Sequence, residues 1–264
     1  MKTTFHYLLI LLINLSVCRL FAQSPYELKN QKEFTILGTG LVTAGAGLFF
    51  KSKTPVFTAE ELGTLDVHQI NAFDRVATNH FSLKAHHTSD YFWYGSNALP
   101  LFLLAGKKSR KEFGKIMTLY AETALLTAGL TLLTKYTVQR ARPFNYDPNT
   151  SFEKKTSSNA KASFFSGHTS FCAANIFFTA KVFSDYYPDS KWKPLIWTAA
   201  ATIPAITGYL RVRGGRHYPT DVLAGYAVGA TIGYFIPHLH RNRIRNKNIT
   251  LNMGYKNLQL DWKF

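Results

Sequence analysis

The stretch IMTLYAETALLTAGLTLLTKYTVQRARP, residues 116–143, decides the fold. From Ile116 to Leu133 it is apolar for nearly the roughly 20 residues that a membrane span needs, and long enough for a helix, although Glu122 and several threonines interrupt it. Two cations follow. Lys135 and Arg142 are seven residues apart, which is two helical turns, so both side chains are expected to leave one face near the end of one helix. Pro143 biases Arg142 away from helical geometry and is expected to stop the helix there.

Outward from this stretch the pattern repeats. Further apolar segments run from Phe34 to Phe50, Tyr91 to Ala105, Phe171 to Phe183, Leu195 to Leu210 and Val222 to Pro237. Between the first two, Glu60 to Asp90 is polar, with Leu65, Ile70, Phe73 and Val76 spaced as on an amphipathic helix. Tyr187 to Ser190 and Pro143 to Ser158 carry the turn residues. The expectation is an all-α bundle of about six apolar helices. The segments also hold Asn97, Asn175 and Lys181, and mean hydropathy is only −0.08, so a soluble bundle stands as the alternative to a membrane-embedded one. The basic clusters Lys107–Lys111 and Arg241–Arg245 end segments as cytoplasmic loops do. With both inside, the connections at Arg142, Ser166 and His217 share the outer side, a parity of five spans from Tyr91 to Pro237. A cleaved signal together with a full crossing by Phe34–Phe50 would invert that parity.

Three regions are expected along the chain. Residues 1–22 read as a secretory signal, with Lys2 before the apolar run Phe5–Val17 and a cleavage site at Leu20-Phe21-Ala22. Residues 23–246 are the helical domain. In 247–264, apolar residues alternate at Ile249, Leu251, Met253 and Tyr255 and again at Leu258, Leu260, Trp262 and Phe264, which reads as a β-hairpin. The 264 residues carry a net charge of +16, an excess that favours polyanionic partners. The aromatic residues lie inside apolar segments and the chain is expected to be exported, which argues against nucleic acid. Cys18 and Cys172 offer no disulfide.

Two more clusters open apolar segments. Ser166-Gly167-His168 precedes Phe171; glycine permits close backbone approach, and a helix N-terminus there offers free amides to an anion. Arg211 stands six residues before His217, and Asp221 four after it, with Pro219 near the first position of the last helix. Asp221, one turn in, is expected to accept a hydrogen bond from an imidazole nitrogen, leaving the other nitrogen as base or nucleophile. Taken singly, each cluster has an ordinary reading: an interfacial cation pair, a helix cap, an N-terminal acid. His86-His87 and His238/His240 lack further ligands nearby in sequence, so no metal site and no cofactor are expected.

Order and spacing join the three. Lys135 with six residues to Arg142-Pro143, then Ser166-Gly167-His168, then Arg211 with five to His217 and three to Asp221, resemble the type 2 phosphatidic acid phosphatase (PAP2) superfamily over roughly Asp90 to Pro237. Phe165 stands where that family usually has proline, and Leu210 where it has serine or alanine, departures that bear on pocket shape. The resemblance implies that Lys135, Arg142, Ser166, Gly167 and Arg211 bind phosphate, that His217 attacks phosphorus, that Asp221 orients it, and that His168 protonates the leaving oxygen. It implies a metal-independent phosphatase acting on an anionic phospholipid or isoprenoid phosphate at the membrane, with a periplasm-facing site. A soluble periplasmic acid phosphatase, a vanadium-dependent haloperoxidase and a non-catalytic protein that binds anionic lipid are the alternatives.

Overall fold

In the computed structural model the described residues are 24–242, with the backbone of 248–253 and 258–263. The expected signal, residues 1–22, lies outside them. Residues Leu28–Leu239 form one compact unit. Its long helices are α1 (Asn30–Lys53), α2 (Leu83–Ala98), α3 (Phe113–Val138), α4 (Gly167–Tyr186), α5 (Lys193–Arg213) and α6 (Pro219–Leu239).

Small residues set how these helices pack. A Cβ on Gly225 would meet Ser166 O at 2.6 Å, and Gly229 and Gly233 press in the same way on the Ser170 and Ala174 carbonyls. Each step of four along α6 matches a step of four along α4, so the two helices run parallel in backbone contact, as small-residue stripes allow. Gly40 against Leu125 and Gly47 against Leu132 and Leu133 likewise make α1 parallel to α3. Helix α4 is the centre: Cys172, Ala173, Ile176, Phe178, Ala180 and Val182 are buried, and α2, α3, α5 and α6 all pack on it. One end of the unit therefore collects the C-termini of α1, α3 and α5 and the N-termini of α2, α4 and α6. At the other end the Tyr187 hydroxyl, just past α4, accepts from the Lys108 amide at 3.2 Å.

Four described helices are long and apolar enough to cross a membrane: 30–53, 113–146, 193–213 and 219–239. By length and composition three of these lie between Tyr91 and Pro237 where five spans were expected, but α2 to α6 all run from one end of the unit to the other, so the connections at Arg142, Ser166 and His217 still share one side. The segment from Phe34 to Phe50 is inside a full candidate span, whereas α4, which carries Asn175 and Lys181, is buried within the bundle. The apolar run Tyr91–Ala105 is not one helix either, because α2 ends at Ala98 and a 3-10 turn with Pro100 continues to Ala105.

The amphipathic helix expected in Glu60–Asp90 is broken into pieces. Thr58 caps Ala59–Gly63 in a capping box with Glu61, Asp66 accepts from the His68 amide, Asn71 from Asp74, and Ser82 from Ala85. Each cap restarts the chain in a new direction. Helix α3 also stops earlier than expected. Gln139 takes a left-handed conformation (φ 51) after Val138, so Arg142 extends from a connection rather than from the helix face.

The chain ends outside this unit form another. There Tyr26 pairs with Arg241 in an isolated antiparallel bridge. Strands β1 (Asn248–Met253) and β2 (Leu258–Lys263) are antiparallel, with Ile249 opposite Trp262 and Leu251 opposite Leu260. Residues 254–257, the expected turn, lie outside the described residues.

Candidate active site

Lys135, Arg142, Ser166, Gly167, His168, Arg211, His217 and Asp221 all lie at the end of the bundle where α3 and α5 finish and α4 and α6 begin. The polar connection Asn159–Ser163 ties them together. Lys135 Nζ donates to Ala162 O at 2.7 Å. The Arg142 amide donates to Ala160 O, and its guanidinium donates to Asn159 O at 2.9 Å and Asn159 Oδ1 at 2.7 Å. Its Nη1 reaches Arg216 O at 3.1 Å and lies 3.4 Å from His217 Nε2. A Cβ on Gly167 would sit 3.7 Å from Lys135 Cε, which brings the start of α4 against the lysine.

His217 is 1% exposed, and its Nδ1 lies 2.8 Å from Ser163 O. A carbonyl only accepts, so Nδ1 carries the hydrogen and Nε2 keeps its lone pair. This corrects the expectation for Asp221, whose nearer carboxylate oxygen is 3.6 Å from His217 Nδ1. That oxygen instead accepts from Ser163 Oγ at 2.5 Å and the Tyr218 amide at 2.9 Å. Asp221 and the imidazole are thus joined by hydrogen bonds through Ser163. Its other oxygen accepts from Arg140 at 2.6 Å, and Arg140 donates to Asp74 at 2.7 Å while its guanidinium lies 4.0 Å from the Tyr218 ring centroid. Burial would push the Asp74 carboxyl up, but donors on Arg140, Thr220 and Asn71 outweigh it and hold it below the usual carboxylate range.

His168 Nε2 lies 2.8 Å from Asp90 Oδ1, and its ring is 5.0 Å from that of Trp93. Arg211, 3% exposed, sends Nη1 to His86 Nδ1 at 2.9 Å, Ser89 Oγ at 3.1 Å and Asp90 Oδ1 at 3.4 Å. Its Nε is buried with no hydrogen-bond partner among the described residues. A buried guanidinium N–H left unpaired costs free energy unless an acceptor arrives, and an anion's oxygen is an acceptor of the right charge.

Burial and then the charges of Arg142, Lys135 and Arg211 hold His217 well below the ordinary histidine range. Burial and then Arg211, Arg142, His86 and Lys135 bring His168 down to about 2. His86 is brought to about 3, chiefly by burial and then Arg216 and Arg211. Without an anion, all three imidazoles are neutral near pH 7.

The pair His86-His87 does have a further ligand atom nearby, on Asp90 one turn along α2, which corrects the sequence reading. His86 Nδ1 is already engaged by Arg211, and a dication there would face that guanidinium. Arg140, Asn159 and Ser163 also escaped the sequence reading, as did Asp74 and Asp90. A carboxylate four residues after His86 was the one spacing that could have pointed to Asp90.

Fold and site together describe a bundle with four helices long and apolar enough to cross a membrane and a cluster of buried cations and imidazoles at one end. Residues 116–245 match the family model described as the PAP2 superfamily. It is 32% identical over 130 residues to the lipid A 1-phosphatase of Porphyromonas gingivalis, a match that covers 48% of this chain and 25% of the relative. The chain thus spans a quarter of that relative's length. Among solved structures it is similar to a transmembrane PAP2-type phosphatidylglycerolphosphate phosphatase from Bacillus subtilis, at 19% identity and a TM-score of 0.48, covering 79% of this chain and 95% of that one. Asp74, His86 and Asp90 lie before the family match.

Proposed function

We propose that this chain is a metal-independent phosphatase of lipid-linked phosphate esters, working through a phosphohistidine. The observation that carries the reading is His217 Nε2: it is unprotonated, its lone pair meets only a long 3.4 Å contact from Arg142 Nη1, and Nδ1 is fixed by a backbone carbonyl. Lys135, Arg142 and Arg211 hold the phosphoryl oxygens, with the Ser166–Gly167 helix start behind them. Such positioning and charge stabilisation supply most of phosphoryl-transfer catalysis. His217 Nε2 bonds to phosphorus as the ester P–O bond breaks. His168 gives its proton to the departing oxygen and then takes one from the water that releases phosphate. The incoming phosphate offsets the cations that keep His168 neutral, so substrate charge itself helps load the acid.

A lipid substrate is supported by the four candidate spans and by an apolar cavity of about 340 Å³ between α2, α4 and α5. Its lining includes Tyr91, Phe92, Leu99, Ile176 and Ile203. The cavity shares helix α2 with Asp90, and an acyl or prenyl chain lying along that helix is the proposed occupant. Lipid A phosphate, undecaprenyl diphosphate, phosphatidylglycerophosphate and phosphatidate all fit this description. The basic helix Lys107–Lys111 lies at the opposite end of the unit, and the positive-inside rule then favours a periplasm-facing site.

The test is phosphate release by the purified chain in detergent from lipid and soluble esters, with and without EDTA. Release from lipid esters, insensitive to EDTA and lost in His217→Ala, is expected. Wild-type rates in His217→Ala would overturn the mechanism, and strong EDTA inhibition its metal independence.

A further inference from the structure

Two cations beside the pocket take no part in that scheme. The 3-10 turn Pro143–Tyr146, directly after Arg142, is pinned to the turn before His217 by the Phe144 amide, which donates to Gly215 O at 3.0 Å. Gly215 has a positive φ of 64, and a Cβ there would strike His80 O at 2.5 Å, so this turn is closed by a residue that only glycine can supply. The turn aims Arg216 over the Phe144 ring, with its guanidinium carbon 5.6 Å from the centroid. Lys154, in the short helix Phe152–Lys155, puts Nζ 5.1 Å from the same centroid. Phe144 is buried, so the ring is a fixed platform.

Neither cation has an ion pair or a side-chain hydrogen bond among the described residues. Asp147, near Lys154, is already taken up by the Asn149 amide and by Thr150 Oγ1. Like charges gathered on one ring face repulsion that an anion would relieve. The Arg216 carbonyl accepts from Arg142 Nη1 at 3.1 Å, and Arg216 directly precedes His217, so this pair of cations borders the phosphate cradle.

We infer that Arg216 and Lys154 form a subsite for a second phosphoryl group on the substrate, next to the group whose bond is broken. The inference rests on the phosphatase reading and narrows its substrate class. With a diphosphate, His217 Nε2 bonds to the terminal phosphorus and the bond from that phosphorus to the bridging oxygen breaks. That oxygen takes the His168 proton, and the lipid monophosphate so released is held by Arg216 and Lys154 as it leaves. With two separate phosphates on one headgroup, the same pair holds the one that is not cleaved.

The experiment uses the full chain in detergent micelles with farnesyl monophosphate, farnesyl diphosphate and phosphatidylglycerol phosphate. Arg216→Gln and Lys154→Gln are on different segments, so a folding defect in one leaves the other informative. Each is expected to lower kcat/KM for a substrate with two phosphoryl groups by about tenfold more than for the monophosphate, the loss of one charge-assisted contact. A selective loss with the diphosphate assigns an adjacent group, and one with phosphatidylglycerol phosphate a separate group; either supports the subsite. Equal factors on all three substrates, or no effect of either variant, would overturn it. Release from none of the three by the wild type would overturn the phosphatase reading and the subsite with it.

Discussion

On the proposed phosphatase reading, His217 serves as the nucleophile because a backbone carbonyl, rather than a carboxylate, occupies its other nitrogen. A carbonyl fixes the tautomer without drawing a second proton onto the ring, and the neighbouring cations disfavour imidazolium. Two pH effects follow. With its pKa well below the ordinary value, His217 stays unprotonated in mild acid, so kcat/KM should not fall as pH drops from about 8 to about 6. On the proposed mechanism His168 carries a proton when the leaving oxygen departs, and burial with the neighbouring cations brings its pKa down to about 2, so kcat/KM should rise toward acid. Bound phosphate raises that pKa, and the basic limb of kcat should lie at higher pH than that of kcat/KM. Parallel profiles of the two parameters would refute this account. Arg140 is the second residue whose setting dictates a result, since it bridges two carboxylates that are 1% and 0% exposed. Arg140→Met strands both, and is expected to cost about 3 kcal/mol of stability and to lower kcat through Asp221 and Ser163. Adding Asp74→Asn removes one stranded charge and should restore part of the loss in a melting experiment.

Helices α4 and α6 deliver Ser166 and Asp221 to one place because glycines let their backbones touch, and the Ser166 amide donates to Asp221 O at 3.0 Å. Gly229→Ala should lower Tm, because the added methyl meets the Ser170 carbonyl, and overpacking of this kind costs about 1–3 kcal/mol. Gly45 in α1 has open space where a Cβ would go, and Gly45→Ala should hold or raise Tm by the gain in helix propensity. Equal shifts in the two variants would show that the stripe does not set the packing. The long apolar runs behind α3, α5 and α6 were legible because burial and lipid both require them. The breaks in Glu60–Asp90 were hidden, since its apolar spacing is helical and only the capping side chains divert it. The end of α3 at Gln139 was missed because Pro143 is the louder signal. In the site, the three clusters were legible through their spacing. Asp90 and Asp74 were not, because they meet His168 and Thr220 across 78 and 146 residues of chain, and no local pattern encodes such pairs.

At the scale of the molecule, parallel packing fixes which ends share a side. Helix α1 follows α3, so Lys53 stands with the phosphate pocket and Asn30 with the basic helix Lys107–Lys111. A cationic pocket that collects anions by long-range attraction works best where the opposing basic loops are held on the other side of the bilayer. Orientation is therefore a consequence of charge placement, and it can be read by labelling. Asn149 is exposed in the connection at the pocket end, and Lys191 is exposed in the turn between α4 and α5 at the far end. With a membrane-impermeant maleimide and the parent chain as background, Asn149→Cys should label in right-side-out vesicles and Lys191→Cys only in inverted ones. Labelling of Lys191→Cys from outside would put the pocket in the cytoplasm. Labelling of both from one side would mean that the bundle does not cross the bilayer, and the apolar cavity beside Asp90 would then have to take its substrate from solution.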